Sequence, residues 1–123
     1  MNKLVISIGS NSKDREWQVE NCIKWLKSNL SGVSHSEIYN SAASNGKDPD
    51  YLNVVMKAKC REDFAEINKK LKDYESVCGR TPLSKQTGEI PMDLDIIIWN
   101  GEIVRERDFN QEYFQTGWQQ LDE

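Results

Sequence analysis

Two aspartates stand one residue apart in the stretch PMDLDIIIWNG, residues 91–101, directly ahead of three consecutive isoleucines. Aspartate is depleted in strands because its short carboxylate bonds nearby backbone and prefers water. In a strand over residues 91–99, alternation places Asp93, Asp95, Ile97 and Trp99 on one face and Met92, Leu94, Ile96 and Ile98 on the other. The two carboxylates then project in the same direction, with Cβ atoms roughly 7 Å apart. Such a pair can hold one hard cation or bracket two cations about 4 Å apart. Equally, the second face of the strand can be wet and the acids merely solvated. Just upstream, GRTPLSKQTGEI (residues 79–90) offers Arg80, Lys85, two glycines and several hydroxyls. Cations, hydroxyls and flexible backbone beside a magnesium site suit a polyphosphate ligand. An ordinary polar surface loop has the same composition.

Other chemistries find less support. The segment IGSNSKD lacks the GK[ST] ending of a P-loop, and no GxGxxG occurs. The single histidine, His35, lies in a modest strand candidate and gives a Ser/His/Asp hydrolase little to build on. Cys22, Cys60 and Cys78 are scattered and odd in number, which predicts reduced thiols in a cytoplasmic setting rather than a disulfide frame or zinc site. The net charge of −4, with no basic tail, argues against broad nucleic-acid binding. The opening apolar run is too short for a signal peptide or membrane span. A hydrophobic fraction of 37% and a charged fraction of 29% suit a soluble globular protein, and 123 residues suit a single domain, 1–123, expected to be monomeric.

The elements that must position these residues can be read from periodicity. Residues 3–8, KLVISI, predict a strand ending at Gly9. Residues 11–32 predict a helix with Val19, Cys22, Ile23, Leu26 and Leu30 on one stripe, Ser12 as its cap and Gly32 as its stop. Trp17 and Trp25 lie off the centre of that stripe. VSHSEIYNSAAS predicts a weaker strand, SNGKDPD a turn, and YLNVVMKAKC a strand with Leu52, Val54, Met56 and Ala58 on one side. A second helix carries Phe64, Ile67, Leu71, Tyr74 and Cys78 at steps of three or four, with Asp63 and Glu66 as a capping box and Gly79 at its end. The residues after Val104 predict loop plus a short terminal helix. The order strand, helix, strand, strand, helix, strand is that of a ferredoxin-like α+β domain, βαββαβ, with helices on one face of an antiparallel sheet.

The segments ISIGSN, PDYLNVV, ESVCGR and MDLDIIIWNGEIV occur in an order and spacing that resembles 6-hydroxymethyl-7,8-dihydropterin pyrophosphokinase (HPPK), from Ile6 to about Trp118. That family transfers pyrophosphate from ATP to the hydroxymethyl group of a pterin in folate biosynthesis. The resemblance implies that Asp93 and Asp95 hold two Mg²⁺ ions against the ATP phosphates. It also implies that Ser41, Ala42, Tyr51 and Asn53 lie at the pterin, with Trp118 as an aromatic wall. Glu75 and Arg80 match positions near the nucleotide, with Arg80 in a loop that closes over ATP, and Lys85 is a further candidate cation for the phosphates. Arg80 joins the two aspartates as an expected catalytic residue. The partners implied are thus a pterin and ATP.

The sequence departs from the family at groups that meet phosphate. Ile90 and Pro82 stand where arginines are usual, Asn110 (or Gln111) replaces a histidine, and Thr116 replaces another arginine. One arginine can be worth several powers of ten in phosphoryl transfer, and a lysine such as Lys85 lacks the bidentate fork. Three readings follow: a compact pyrophosphokinase with a rearranged set of cations, a non-catalytic relative that binds a pterin or nucleotide, and an interaction module without a small ligand.

Overall fold

The first strand, β1 (Asn2–Ser10), runs through the middle of the sheet and is buried on both sides from Leu4 onward. Described here from a computed structural model are residues 1–43 and 45–121; Ser44 of the predicted turn and the last two residues of the predicted terminal segment lie outside them. β1 pairs antiparallel with β4 (Tyr51–Cys60) on one side and with β5 (Asp93–Trp99) on the other. The outer positions of the sheet are taken by β2 (Ser31–His35), which pairs β4, and by the short β6 (Glu102–Ile103), which pairs β5. The strand order is β2-β4-β1-β5-β6, and β3 (Tyr39–Ser41) continues alongside β4 beyond β2. The predicted α+β order is therefore present, with its second strand broken into two pieces.

Two helices, α1 (Arg15–Asn29) and α2 (Phe64–Val77), lie on one face of this sheet. Leu4, Ile6 and Ile8 of β1, Val54, Met56 and Ala58 of β4, and Leu94 and Ile96 of β5 meet Val19, Cys22 and Leu26 of α1 and Ile67 and Leu71 of α2 in one buried cluster. Each fully buried aliphatic side chain here contributes about 1.5–3 kcal/mol, which fixes the helices to the sheet. Asp63 accepts from the Glu66 amide while the Glu66 side chain accepts from the Asp63 amide, the capping box that the sequence predicts. Gly79, at φ 103°, follows the end of α2 in a left-handed conformation that disfavours other residues. Trp25 stacks on Tyr74 at 4.2 Å between ring centroids, whereas Trp17 is exposed.

Three local expectations are corrected. Ser12 does not cap α1: its hydroxyl donates to Asp14 Oδ1 at 2.7 Å, and Asp14 occupies the cap position without a side-chain bond. Gly32 does not stop α1, which ends at Asn29; it lies instead within β2, between the paired residues Ser31 and Ser34 where the register shifts. Strict alternation along β5 also fails. Val5 pairs Ile98 but Ile6 pairs Ile96, leaving Ile97 as an extra residue in a bulge. Ile97 and Ile98 consequently both serve the second face, while Trp99 turns to the helix side and meets Phe64 edge-on, 5.4 Å between centroids.

The second face is covered over part of its area by the C-terminal segment. After the short α3 (Ser84–Thr87) in the loop ahead of β5, the chain ends in α4 (Glu106–Phe109) and α5 (Glu112–Trp118), whose Phe114 packs with Val5, Val55 and Ile97. Gly117 permits this approach, since a Cβ there would stand 2.6 Å from Val55 Cγ2 and 2.7 Å from the Tyr39 hydroxyl.

Candidate active site

Beyond the edge of α5 the second face turns polar. Ser7 and Gly9 of β1, Asn53 of β4 and Asp93 of β5 form the floor of a cavity of about 600 Å³. The register explains the grouping, because Gly9 pairs Asn53 on one side and Asp93 on the other. A Cβ on Gly9 would approach Asn53 Oδ1 to 3.4 Å and the Tyr51 ring to 3.5 Å, so glycine keeps this floor flat. Ser41 and Ala42 line one side together with Tyr51, and Tyr113 and Thr116 of α5 line another. Buried Asn53 donates through Nδ2 to Ser41 Oγ at 2.7 Å, an arrangement that turns its Oδ1 into the available acceptor. The Tyr39 hydroxyl donates to the Tyr113 carbonyl and so ties β3 to α5 across the cavity.

A second cavity of about 310 Å³ is lined by Lys72, Glu75, Arg80, Pro82 and Lys85. Arg80 joins the two regions: its guanidinium donates to Asp93 Oδ1 at 3.0 Å and to the Met92 carbonyl at 3.2 Å, and lies 3.3 Å from Glu75 Oε2. Glu75 is buried and its Oε2 also accepts from the Leu94 amide at 2.7 Å. Lys72, one turn earlier on α2, donates to the Leu94 carbonyl at 2.6 Å, to Glu75 Oε2 at 3.1 Å and to Asp95 Oδ1 at 3.2 Å. β5 pairs β6 only near its end, at Ile98 and Trp99, so α2 side chains satisfy its edge at Leu94. Arg105 stands 3.8 Å from Asp95 Oδ1 and donates to Asp108 Oδ2 at 2.6 Å, while the Tyr113 hydroxyl donates to the same carboxylate.

Electrostatics follow from this packing. Burial, and next the charge of Asp95, push the Asp93 carboxyl up to about 6, against the opposing pull of Arg80. Burial alone would lower the Lys72 ammonium, but the carboxylates of Asp95 and Glu75 outweigh it and hold that group charged.

The donor set fits magnesium. Among the described residues, Oδ2 of Asp93 and Oδ2 of Asp95 have no hydrogen bond or ion pair, the cations being engaged at Oδ1. Magnesium takes one or two carboxylates and completes its shell with water and phosphate. No group of three or more His, Cys, Asp or Glu side chains that could hold a metal occurs among the described residues, so phosphate oxygens would be needed to complete the site.

The structure thus brings Ser41, Ala42, Tyr51, Asn53 and Asp93 around one cavity and Glu75, Arg80 and Lys85 around its neighbour. Asp95 lines neither cavity but is held beside them by Lys72 and Arg105, and Trp118 is not brought to either. Trp118 packs on Phe114, 6.0 Å between centroids, and lines a separate cavity with Lys3, Gly32 and Lys59. The aromatic side chain that α5 presents to the candidate pterin cavity is Tyr113.

Three residues escaped the sequence reading. Lys72 and Arg105 both approach Asp95; Lys72 was signalled only by its i,i+3 spacing from Glu75. Asn11 clamps the loop ahead of β5: it donates to the Gly88 carbonyl at 2.8 Å, and its Oδ1 accepts from the Ile90 amide at 2.5 Å. Among the departures from the family pattern, Ile90 is buried beneath that clamp, and Thr116 and Gln111 line the first cavity. Asn110 turns back to the Glu106 carbonyl at 3.0 Å.

The family model for 7,8-dihydro-6-hydroxymethylpterin-pyrophosphokinase matches residues 5–123. No curated protein matches the chain. The described residues contain no helix long and apolar enough to cross a membrane. Since the family match covers nearly the whole chain, this protein belongs to the HPPK family, the pterin pyrophosphokinases of folate biosynthesis.

Proposed function

We propose that the protein transfers pyrophosphate from ATP to 6-hydroxymethyl-7,8-dihydropterin in the cytoplasm, with magnesium held by Asp93 and Asp95. The observation that carries this reading is the shared wall of the two cavities: Arg80 reaches from the one lined by Glu75 and Lys85 to Asp93, which forms the floor of the other. A pterin lying on the Gly9 floor would meet the Asn53 Oδ1 acceptor and the Ser41 and Ala42 backbone, with Tyr51 and Tyr113 beside it. That orientation sets its hydroxymethyl oxygen toward Asp93. Triphosphate in the second cavity would then present its β-phosphorus for attack. The hydroxymethyl oxygen bonds to the β-phosphorus and gives up its proton to solvent as the bond between the β-phosphorus and the oxygen bridging it to the α-phosphorus breaks, and AMP leaves. Magnesium, when bound, neutralises phosphate oxygens and aligns them. Arg80, Lys85 and Arg105 add positive charge, which supports a rearranged set of cations in place of the family arginines at positions 82, 90 and 116. Catalysis by such groups is positioning plus electrostatic stabilisation.

One observation favours the second reading, a pterin or nucleotide binder without turnover. Ile90 is buried and its backbone is fixed from both sides by Asn11, so no cation can reach the phosphates from that position. Incubation with Mg²⁺, ATP and 6-hydroxymethyl-7,8-dihydropterin separates the two. Stoichiometric AMP and pterin diphosphate are expected; saturable binding of both ligands with no AMP would replace the enzyme by the binder.

A further inference from the structure

Asp95 differs from Asp93 in the cations it holds. Asp93 faces one guanidinium, that of Arg80. Asp95 Oδ1 is approached by Lys72 at 3.2 Å and by Arg105 at 3.8 Å. The Lys72 ammonium has three donors, and three oxygen acceptors surround it: Glu75 Oε2, the Leu94 carbonyl and Asp95 Oδ1. It is a cation in an oxygen cage, tethered by its own side chain and half-buried. With Oδ1 of each aspartate already engaged, one oxygen of each remains. Two such oxygens suffice for one magnesium completed by water and phosphate, whereas two ions about 4 Å apart would draw on the remaining oxygens and contend with Lys72 for Asp95.

We propose that the Lys72 ammonium stands in for one of the two divalent ions implied by the family resemblance, so that the nucleotide-loaded site takes a single magnesium between Asp93 and Asp95. Lys72 is then a cation-supplying residue of the phosphate site, fixed in sequence rather than recruited from solution. This inference rests on the proposed nucleotide-binding function.

The test counts metal ions without turnover. Protein saturated with α,β-methylene-ATP is titrated with Mn²⁺, and bound ions are counted from the loss of the free-ion electron paramagnetic resonance signal. The wild type should bind one Mn²⁺ per nucleotide complex. Lys72→Met should bind two and show a spin-coupled spectrum, and Lys72→Arg, which keeps the charge, should return the count to one. Two ions in the wild type, or one in both the wild type and Lys72→Met, overturns the proposal. The wild-type count decides by itself if Lys72→Met melts below the assay temperature. Absence of nucleotide binding to the wild type in calorimetry overturns the proposed function and this inference with it; a wild-type complex with two ions defeats the inference alone.

Discussion

The second face of the sheet has two ends made from the same three strands, and they have opposite fates. At one end Val5, Val55 and Ile97 are apolar, and Phe114 of α5 closes over them without leaving any of the four more than slightly exposed. At the other end, only two to four residues along each strand, the corresponding positions are Ser7, Gly9, Asn53 and Asp93, which line a cavity of about 600 Å³, with Asp95 paired beside Ser7. Hydrophobic burial draws a cover onto the first end. The second end offers polar groups and charges that would be costly to cover, so it remains open for a ligand that can satisfy them. The lesson is that the site is placed by the limit of the apolar strip: Val5 to Ser7 on β1, Val55 to Asn53 on β4, and Ile97 to Asp95 on β5 mark the same line across the sheet.

If the two ends are separate in function, substitutions should separate activity from stability. The largest effect is expected from Asp95→Ala, which removes a carboxylate from the candidate magnesium site. AMP release should fall by about 10³-fold or more, while the folded protein persists in circular dichroism because Asp95 is not part of either apolar cluster. Retained activity would remove Asp95 from the chemistry. The reverse pattern is expected of Ile97→Ala. Ile97 is fully buried and is the extra residue of the bulge, so its truncation should cost about 2–5 kcal/mol in urea unfolding. The kcat of the fraction that remains folded should stay within about twofold. A large fall in kcat would show that the apolar end sets the geometry of the acids.

Gly117→Ala tests the seam between the ends. The added methyl would meet Val55 and the Tyr39 hydroxyl, neither of which can retreat freely inside packed structure. An overpacking cost of about 1–3 kcal/mol is expected. Because α5 also carries Tyr113 and Thr116 into the cavity, pterin affinity should weaken alongside stability. Loss of stability with unchanged affinity would mean that α5 covers the core without shaping the ligand site.

Much of this division was legible in the sequence. The stripes of α1 and α2, the capping box at Asp63 and the alternation in β4 all report local periodicity, which the packed structure then uses without change. Asp93 and Asp95 were legible as a pair on one face, and that pairing lies before the bulge. What followed was not, since a bulge is set by the partner strand and leaves no periodic trace; Ile98 and Trp99 exchanged faces at Ile97. Gly32 looked like a helix stop because glycine favours both helix ends and irregular strand positions. Lys72 and Arg105 were invisible for a different reason. Their meeting at Asp95 joins α2, β5 and the segment before α4, and nothing local in the sequence states that the three converge. Trp118 lines a different cavity from the other residues expected at the pterin because it packs on Phe114 at the covered end, a contact that its position in the sequence does not state.

The smallest effect belongs to the polar end itself. Asn53→Ala removes the side chain that joins Ser41 to the Gly9 floor. Ser41 is only partly buried, so water can replace its lost partner and the cost to folding should be slight. The ligand loses more, because the Oδ1 acceptor lies inside the cavity and a pterin N–H facing it would be left without a protein partner. One such bond is worth about 1–1.5 kcal/mol, or about tenfold in affinity. KM for the pterin should therefore rise about tenfold while kcat stays within about threefold, since Asn53 touches neither the phosphates nor their cations. A fall in kcat at unchanged KM would reverse that assignment: Asn53 would then act on the geometry of the transferring group, and the boundary between pterin and phosphate regions would lie on β4 rather than at Asp93.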